Sequence, residues 1–529
     1  MRSFPRFRPT LTILTLALLA GTSAFAQETP APAGRRGGAP AAAATPEGEL
    51  PIIPETKSET KHDWTAGGRT VHYTATAGTL LINGDPGTPE ATKPILSVFY
   101  VAYTEDGVPP KSRPITFLYN GGPGAATIWL HMGSVGPMRV VTQSPKDSGP
   151  PPYEMVQNQY SLIDKSDLVF IDAPLAGFSR AVGKGTVKDF AGVDQDIKAF
   201  NKFITKYITV NNRWSSPKYL FGESYGTPRS AALVASLNND GIACNGVVLL
   251  SSILNYYVRS PGYDLDPKTY LPSYAAIAWY YNKVPHNGTL KDWVQKAREF
   301  SRGEYATALD KGDTLPPAEF DAIATKLAAI TGLPLDYIKE TKLRIQPTRY
   351  RKELLRNDAQ ILGRYDARFD AFDADSAGEN PGFDPSDTGI TGVYVASFHD
   401  YLTNELKYVT TEPYYTSAPG INGAWDWHHR PSGGGGYGGG RAEDQPDTVI
   451  DLSDAMRKNT KLKVFSANGW FDLATPFFGT EHDLSQLMLP PSLLGNVQFG
   501  YYPAGHMVYL NVDALKEMHA DLEKWYSEK

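Results

Sequence analysis

A serine hydroxyl is a poor nucleophile unless a base takes its proton and fixed donors hold the negative charge its attack creates. The stretch Tyr219-Leu-Phe-Gly222-Glu223-Ser224-Tyr225-Gly226 offers that chemistry. It is an apolar strand running into Gly-x-Ser-x-Gly, followed by Thr227-Pro228-Arg229 and an Ala/Leu-rich helix to about Leu237. A strand-to-helix turn this tight holds its central serine clear of the sheet, and the helix start favours negative charge beside it. Small residues at 222 and 226 let strand and helix pass closely. The acid and the base follow the serine in the chain in such sites. Of ten histidines, His506 is best placed, in a Gly-His loop after a strand and close to the C-terminus. Upstream, Val464-Phe-Ser-Ala-Asn-Gly-Trp-Phe-Asp472 is a strand ending in an acid-bearing loop. The Asp472 carboxylate would hold the imidazole tautomer and stabilise the imidazolium. The plain alternatives are an ordinary turn serine, a loop-capping aspartate and a surface histidine.

A sheet must position these residues. His72 to Ala77 and Ile95 to Tyr103 are β-branched, aromatic and partly alternating, which predicts antiparallel strands. Ile115 to Tyr119, Leu168 to Asp172, Tyr219 to Phe221, Gly246 to Ile253, Leu462 to Phe465 and Val497 to Tyr502 predict further strands, with helical spacing from Val193 to Ile208. Alternating strands and helices predict a mostly parallel sheet covered on both faces. With the serine turn, this is an α/β protein of the α/β-hydrolase fold. Between about 255 and 450 the strands stop, and 317–330 and 394–407 read as helices, so this block is expected to be a mainly helical cap inserted over the sheet. SGGGGYGGG at Ser432 to Gly440 lacks the strand a phosphate loop follows and reads as a flexible loop. The expected organisation is a signal peptide (1–26), an Ala/Pro/Gly-rich tether (27–65), the first part of the hydrolase core (66–254), the cap (255–450) and the second part of the core (451–529).

The signal peptide rests on Arg2, Arg6 and Arg8, the apolar run Leu11 to Ala20, and Ala24-Phe25-Ala26 as a cleavage site. That run is short for a membrane span, no later stretch is long and apolar enough to cross a bilayer, and an exported protein is expected. The formal net charge is −6 with no basic patch, which argues against a nucleic-acid partner. A single cysteine, Cys244, excludes an internal disulfide and lies in an apolar stretch, as buried filler would.

Further motifs add a family resemblance. Asn120-Gly121-Gly122-Pro123-Gly124 follows a strand, Asn158-Gln-Tyr160-Ser161 precedes another, and that strand ends Asp172-Ala-Pro174-Leu-Ala-Gly177-Phe178-Ser179. With Gly222-Glu223-Ser224-Tyr225 and Gly505-His506-Met507, the set resembles the serine carboxypeptidase family, peptidase family S10. The resemblance covers about 115–250 and 460–510. It implies Ser224, Asp472 and His506 as a catalytic triad, the backbone N–H groups of Gly122 and Tyr225 as the oxyanion hole, and Asn120 and Glu223 as binders of the substrate's terminal carboxylate. A Glu facing a carboxylate must share a proton with it, which would favour acidic pH. The chain departs from the family at Ala125-Ala126-Thr127, where Cys-Ser-Ser is usual. It departs again at Ser134, where a second carboxylate-binding Glu is usual, and at Arg229, where an aromatic or His is commoner. The Ser134 change implies that carboxylate binding is partly rebuilt or the acidic preference weakened, with Arg229 a candidate cation or simply a helix residue.

The expected activity is a carboxypeptidase acting on peptide substrates through an acyl-enzyme, with no metal or organic cofactor. An esterase or acyltransferase on the same scaffold and a non-catalytic envelope binding protein are the alternatives. Oligomeric state is left open. His428-His429 beside Asp426 reads as a structural or surface loop because no third metal ligand is spaced nearby. His131 reads equally as pocket wall or core, and the aromatic run Tyr270 to Tyr281 as the core of the cap.

Overall fold

The computed structural model describes residues 48–260, 262–432 and 444–528. The expected signal peptide, most of the tether and nearly all of the glycine-rich loop lie outside them. One sheet organises the rest. Its strands are β1 (Lys57–Ala66), β2 (Arg69–Asn83), β3 (Pro94–Glu105), β4 (Ile115–Tyr119), β5 (Asp167–Ile171), β6 (Lys218–Glu223), β7 (Gly246–Leu250), β8 (Lys463–Gly469) and β9 (Val497–Tyr502). They lie in the order β1-β2-β3-β5-β4-β6-β7-β8-β9, and a short strand at Arg180–Ala181 also pairs with β3. The first three pair antiparallel, β3 meets β5 antiparallel, and every pair from β5 to β9 is parallel. The parallel strands read as unbroken apolar runs because helices cover both faces, and β4, β5 and β7 are buried throughout. The helices nearest the site are α1 (Ile128–Gly133), α2 (Val193–Val210) and α3 (Gly226–Asn239).

β1 lies inside the stretch expected to be a tether, so the folded chain begins earlier than residue 66. Lys57-Ser-Glu-Thr-Lys-His-Asp alternates between exposed and half-buried and carries no aliphatic residue, and only Trp64 after it is buried. Edge pairing with β2 sustains it, through the turn at Gly67 and Gly68, both with positive φ.

The insertion divides between two cores. Helices α4 (Leu265–Tyr280) and α5 (Pro317–Thr331) bury Tyr270, Tyr274, Ile277 and Leu327 in a core of their own, joined by Phe471 and Leu473 from the loop after β8 and by Phe477, which begins the helix beyond it. Helix α6 (Pro385–Asn404) packs Ile390, Tyr394, Phe398 and Tyr401 into the main core instead. Strands do not stop altogether here, since Gln360–Leu362 pairs antiparallel with Asp370–Phe372. Three residues per strand are too few to show a period. The chain then continues through α7 (Val449–Lys458) and ends in α8 (Val512–Ser527). Cys244 is buried, as expected, and burial pushes its thiol up to about 12.

At the amino end of β5, the buried Asp167 carboxylate joins Arg113 (Nε 2.8 Å), Arg213 and the backbone N–H of Glu105 (3.0 Å). Removing this anion leaves Arg213 without a carboxylate, while Arg113 keeps its pair with Glu105. We expect Asp167→Ala to destabilise the protein by about 3–5 kcal/mol in urea unfolding, and a loss below about 1 kcal/mol would show that water reaches Arg213.

Candidate active site

The strand order reverses at β4: β5 lies on one side and β6 on the other. In parallel sheets such a reversal opens a crevice at the carboxyl ends of the strands. Asn120 follows β4, Ser224 follows β6, and the loops bearing Asp472 and His506 follow β8 and β9.

Ser224 has φ +58°, a left-handed backbone that non-glycine residues adopt rarely and at a cost. Its N–H donates to Leu250 O (3.0 Å), and its carbonyl accepts from Thr227 N (2.8 Å), which pins the turn on both sides. The flanking glycine is required by contact. A Cβ at Gly222 would lie 2.0 Å from the Gly226 carbonyl oxygen, because strand and helix touch there.

Asp472 and His506 meet in a buried site. His506 Nδ1 lies 2.8 Å from Asp472 Oδ2. The other carboxylate oxygen accepts from the N–H groups of Ala474 (2.7 Å) and Thr475 (3.0 Å), and the Thr475 hydroxyl lies 2.9 Å from Oδ2. A carboxylate on Nδ1 assigns the proton to that nitrogen and leaves Nε2 with its lone pair. Burial opposes protonation of His506, but the Asp472 charge outweighs it and holds the imidazole above its ordinary pKa. Ser251 Oγ, next to the carbonyl that anchors Ser224, donates to His506 O (2.6 Å). The turn bearing the serine and the loop bearing the histidine are thus joined through β7.

The residues that hold this pair from above escaped the sequence reading. In the cap, Gly363-Arg364-Tyr365-Asp366-Ala367-Arg368 runs between the two loops. Tyr365 O accepts from His506 N (2.5 Å), Arg364 O from Leu473 N (3.0 Å), and Phe471 O from Ala367 N (3.0 Å). Arg368 Nη1 donates to Pro503 O (2.8 Å), and the Tyr365 ring lies 5.3 Å from the imidazole. These are mostly backbone contacts, which carry no residue signature. The only available signal was a dense Arg-Tyr-Asp-Ala-Arg run in an otherwise unmatched block.

On the other side of Ser224, the Asn120 loop packs against the serine turn. A Cβ at Gly121 would lie 2.3 Å from Tyr225 N, and Gly122 has φ +100°. The backbone of Gly121-Gly122 therefore abuts that of Tyr225. Asn120 Oδ1 accepts from Leu130 N (2.9 Å), and its amide hydrogen-bonds Glu223 and Tyr509. Glu223 is buried and takes a hydrogen bond from the Tyr509 hydroxyl (2.9 Å). Burial pushes its carboxyl up to about 7, against the opposing pull of His506, Tyr509 and Asn120.

Arg229 is not available to a ligand. It is buried, its Nε and Nη2 bind the Asp196 carboxylate (2.6 and 3.1 Å), and Nη1 donates to Asn120 O (2.7 Å). It holds the Asn120 loop from behind. Ser134 is buried with its hydroxyl turned back to Leu130 O. His131 is a core histidine: it bonds the Tyr103 hydroxyl (2.6 Å), stacks on Phe170 (4.3 Å), and burial pushes it down to about 3. His429 is buried between Asp194 (2.6 Å) and Asp451 (2.9 Å), whose charges overcome burial and raise it to about 9. It ties α2 to α7, whereas His428 is exposed. Among the described residues, no group of His, Cys, Asp or Glu is arranged to hold a metal ion.

A mostly parallel sheet, a serine in a strained strand-to-helix turn and an Asp–His pair on the loops after β8 and β9 define the α/β-hydrolase fold. Residues 91–257 match the sequence model of the serine carboxypeptidase family, peptidase S10. Serine carboxypeptidase-like 33 of Arabidopsis thaliana is 27% identical over 209 residues, 38% of this chain and 41% of that protein. A pheromone-processing carboxypeptidase of Cryptococcus gattii is 27% identical over 167 residues, 31% of this chain and 23% of that protein. The match thus spans less than half the length of either relative. Among solved structures, a proline iminopeptidase of Mycobacterium smegmatis superposes with a TM-score of 0.35 at 12% identity, covering 85% of this chain and 97% of that one.

The contact at Gly121 leaves no room for a side chain. We expect Gly121→Ala to slow acylation of Ser224 by a fluorophosphonate at least about 100-fold while the circular dichroism spectrum is retained. Labelling at the wild-type rate would mean that the loop moves aside at no cost.

Proposed function

We propose that this chain is an exported serine carboxypeptidase. The buried Asp472–His506 pair carries the reading. It stands beside a strained serine turn, with a protonatable Glu223 as that serine's neighbour. Ser224 Oγ attacks the carbonyl carbon of the last peptide bond as His506 Nε2 takes its proton. The backbone N–H groups of Gly122 and Tyr225 hold the resulting oxyanion. The C–N bond breaks, His506 delivers the proton to the leaving amine, and the C-terminal amino acid departs. Water, deprotonated by His506, then attacks the acyl carbon; the bond to Ser224 Oγ breaks, His506 returns the proton to Oγ, and the shortened peptide leaves with a new C-terminal carboxyl group. Asn120 and Glu223 bind the terminal carboxylate of the substrate, with Glu223 in its neutral form, since two carboxylates cannot both ionise at such range.

The N-terminal Arg residues, apolar run and Ala-Phe-Ala support export, and no helix of the described residues is long and apolar enough to cross a membrane. Ester hydrolysis or acyl transfer is the second reading. Its support is Ser134, whose hydroxyl is committed to Leu130 O and offers no second carboxyl.

Two measurements test this. With N-blocked peptides that differ only in a free or amidated C-terminus, the free acid is expected to lose its last residue and Ser224→Ala to be inert. Cleavage of a simple ester but of neither peptide would instead support the second reading. The pH profile is the second test. His506 must be neutral to act as base, and its raised pKa places the acid limb above the ordinary imidazole range. Glu223 must be protonated to accept a carboxylate, so kcat/KM for the free acid is expected to fall as pH rises past about 7. An ester lacks the terminal carboxylate, so its profile is expected to keep the acid limb and lose the alkaline one.

A further inference from the structure

Glu223 has one oxygen fixed by a residue that no sequence motif marked. Tyr509 lies three residues beyond His506, is buried, and donates its hydroxyl to Glu223 Oε2 at 2.9 Å. Asn120 hydrogen-bonds both partners, so the three side chains form one closed cluster beside Ser224. The ring also fills the space against α1. A Cβ at Gly133 would lie 2.5 Å from Tyr509 Cδ2 and 2.2 Å from the Tyr394 hydroxyl. Ser134 stands next to that wall with its own hydroxyl turned away to Leu130 O. No second carboxyl enters the cluster, and the hydrogen bond that Glu223 receives from the wall comes from a phenol.

We propose that Tyr509 is the positioning residue of the carboxylate site: its hydroxyl fixes the Glu223 carboxyl beside Ser224 and sets the pH range over which the enzyme accepts a free C-terminus. This deepens the carboxypeptidase reading and rests on it. A phenol at this distance donates to the ionised carboxyl and stabilises it. It holds Glu223 against rotation, yet it also lowers the pH at which Glu223 loses the proton a substrate carboxylate needs. The other groups facing Glu223 are Asp472 on the loop after β8, His506 on the loop after β9, Asn120 after β4, and Tyr394 on α6. Asp472 disfavours a charge on Glu223, His506 favours it when protonated, and Tyr394 is itself held neutral by burial and by the Glu223 charge. Tyr509 and Asn120 act on Glu223 by direct hydrogen bonds, and of the two only the phenol can be removed without leaving the Asn120 loop short of a contact to Leu130 N.

The test reads the alkaline limb of kcat/KM for a free-acid peptide in the full-length protein. Tyr509→Phe keeps the ring and removes the donor, so the limb is expected to move up by about one pH unit. A fluorinated tyrosine at 509 is a stronger donor of nearly the same shape and is expected to move the limb down, which keeps the test open should Tyr509→Phe fold poorly. Glu223→Gln removes the limb, and adding Tyr509→Phe to it produces no further shift. An alkaline limb that stays in place in both Tyr509 proteins, while Glu223→Gln abolishes it, would overturn the role of Tyr509 and leave the carboxypeptidase reading intact. A wild-type enzyme that cleaves amidated and free-acid peptides equally would overturn that reading, and the inference with it.

Discussion

The buried carboxylate of Asp472 is the constraint on which the rest of the structure turns. A charged group out of water is costly unless its lone pairs are satisfied. Asp472 is satisfied by the N–H groups of Ala474 and Thr475, the Thr475 hydroxyl and the imidazole of His506. All but His506 sit on the loop of Asp472 itself, whose neighbouring side chains, Phe471 and Leu473, are buried in the core of the cap. The same loop is bonded to the Arg364–Arg368 segment. The cap therefore does more than roof the sheet. It supplies part of the packing that keeps the Asp472–His506 pair buried and fixed.

A second buried ion pair does comparable work on the other side of the serine. Arg229 and Asp196 neutralise one another, and the free guanidinium nitrogen holds the carbonyl of Asn120. The guanidinium also lies over the Phe200 ring at 4.2 Å, which replaces part of its lost hydration. The loop that meets the serine turn is thus braced from α2 and α3. Asn120 is left with its side chain directed to Glu223 and Tyr509.

Much of this was legible in the chain. Continuous apolar runs marked β4, β5 and β7 because those strands are covered on both faces, and a helical stripe marked α2. Gly222-Glu223-Ser224-Tyr225-Gly226 stood out because contact between β6 and α3 forces a glycine at 222. β1 was not legible, since this polar edge strand buries one side chain, Trp64, and one residue shows no period. The division of the insertion between two cores was not legible either, because α4 and α6 are both apolar enough for either. Arg229 read first as a helix residue with a structural role and only second as a cation for a carboxylate, and its burial against Asp196 agrees with the first.

The sequence by itself determined which groups could react and in what chain order. That information is local: a serine between glycines, an acid ending one strand, a histidine ending the next. The tertiary structure alone decided what surrounds them. Tyr365 reaches the His506 backbone from the middle of the cap, Tyr509 reaches Glu223 across the sheet, and Arg229 reaches Asp196 from another helix. These pairings join residues far apart in the chain, several through backbone atoms that every residue possesses. No residue type or spacing encodes them, and they exist only once the sheet has brought the carboxyl ends of its strands together.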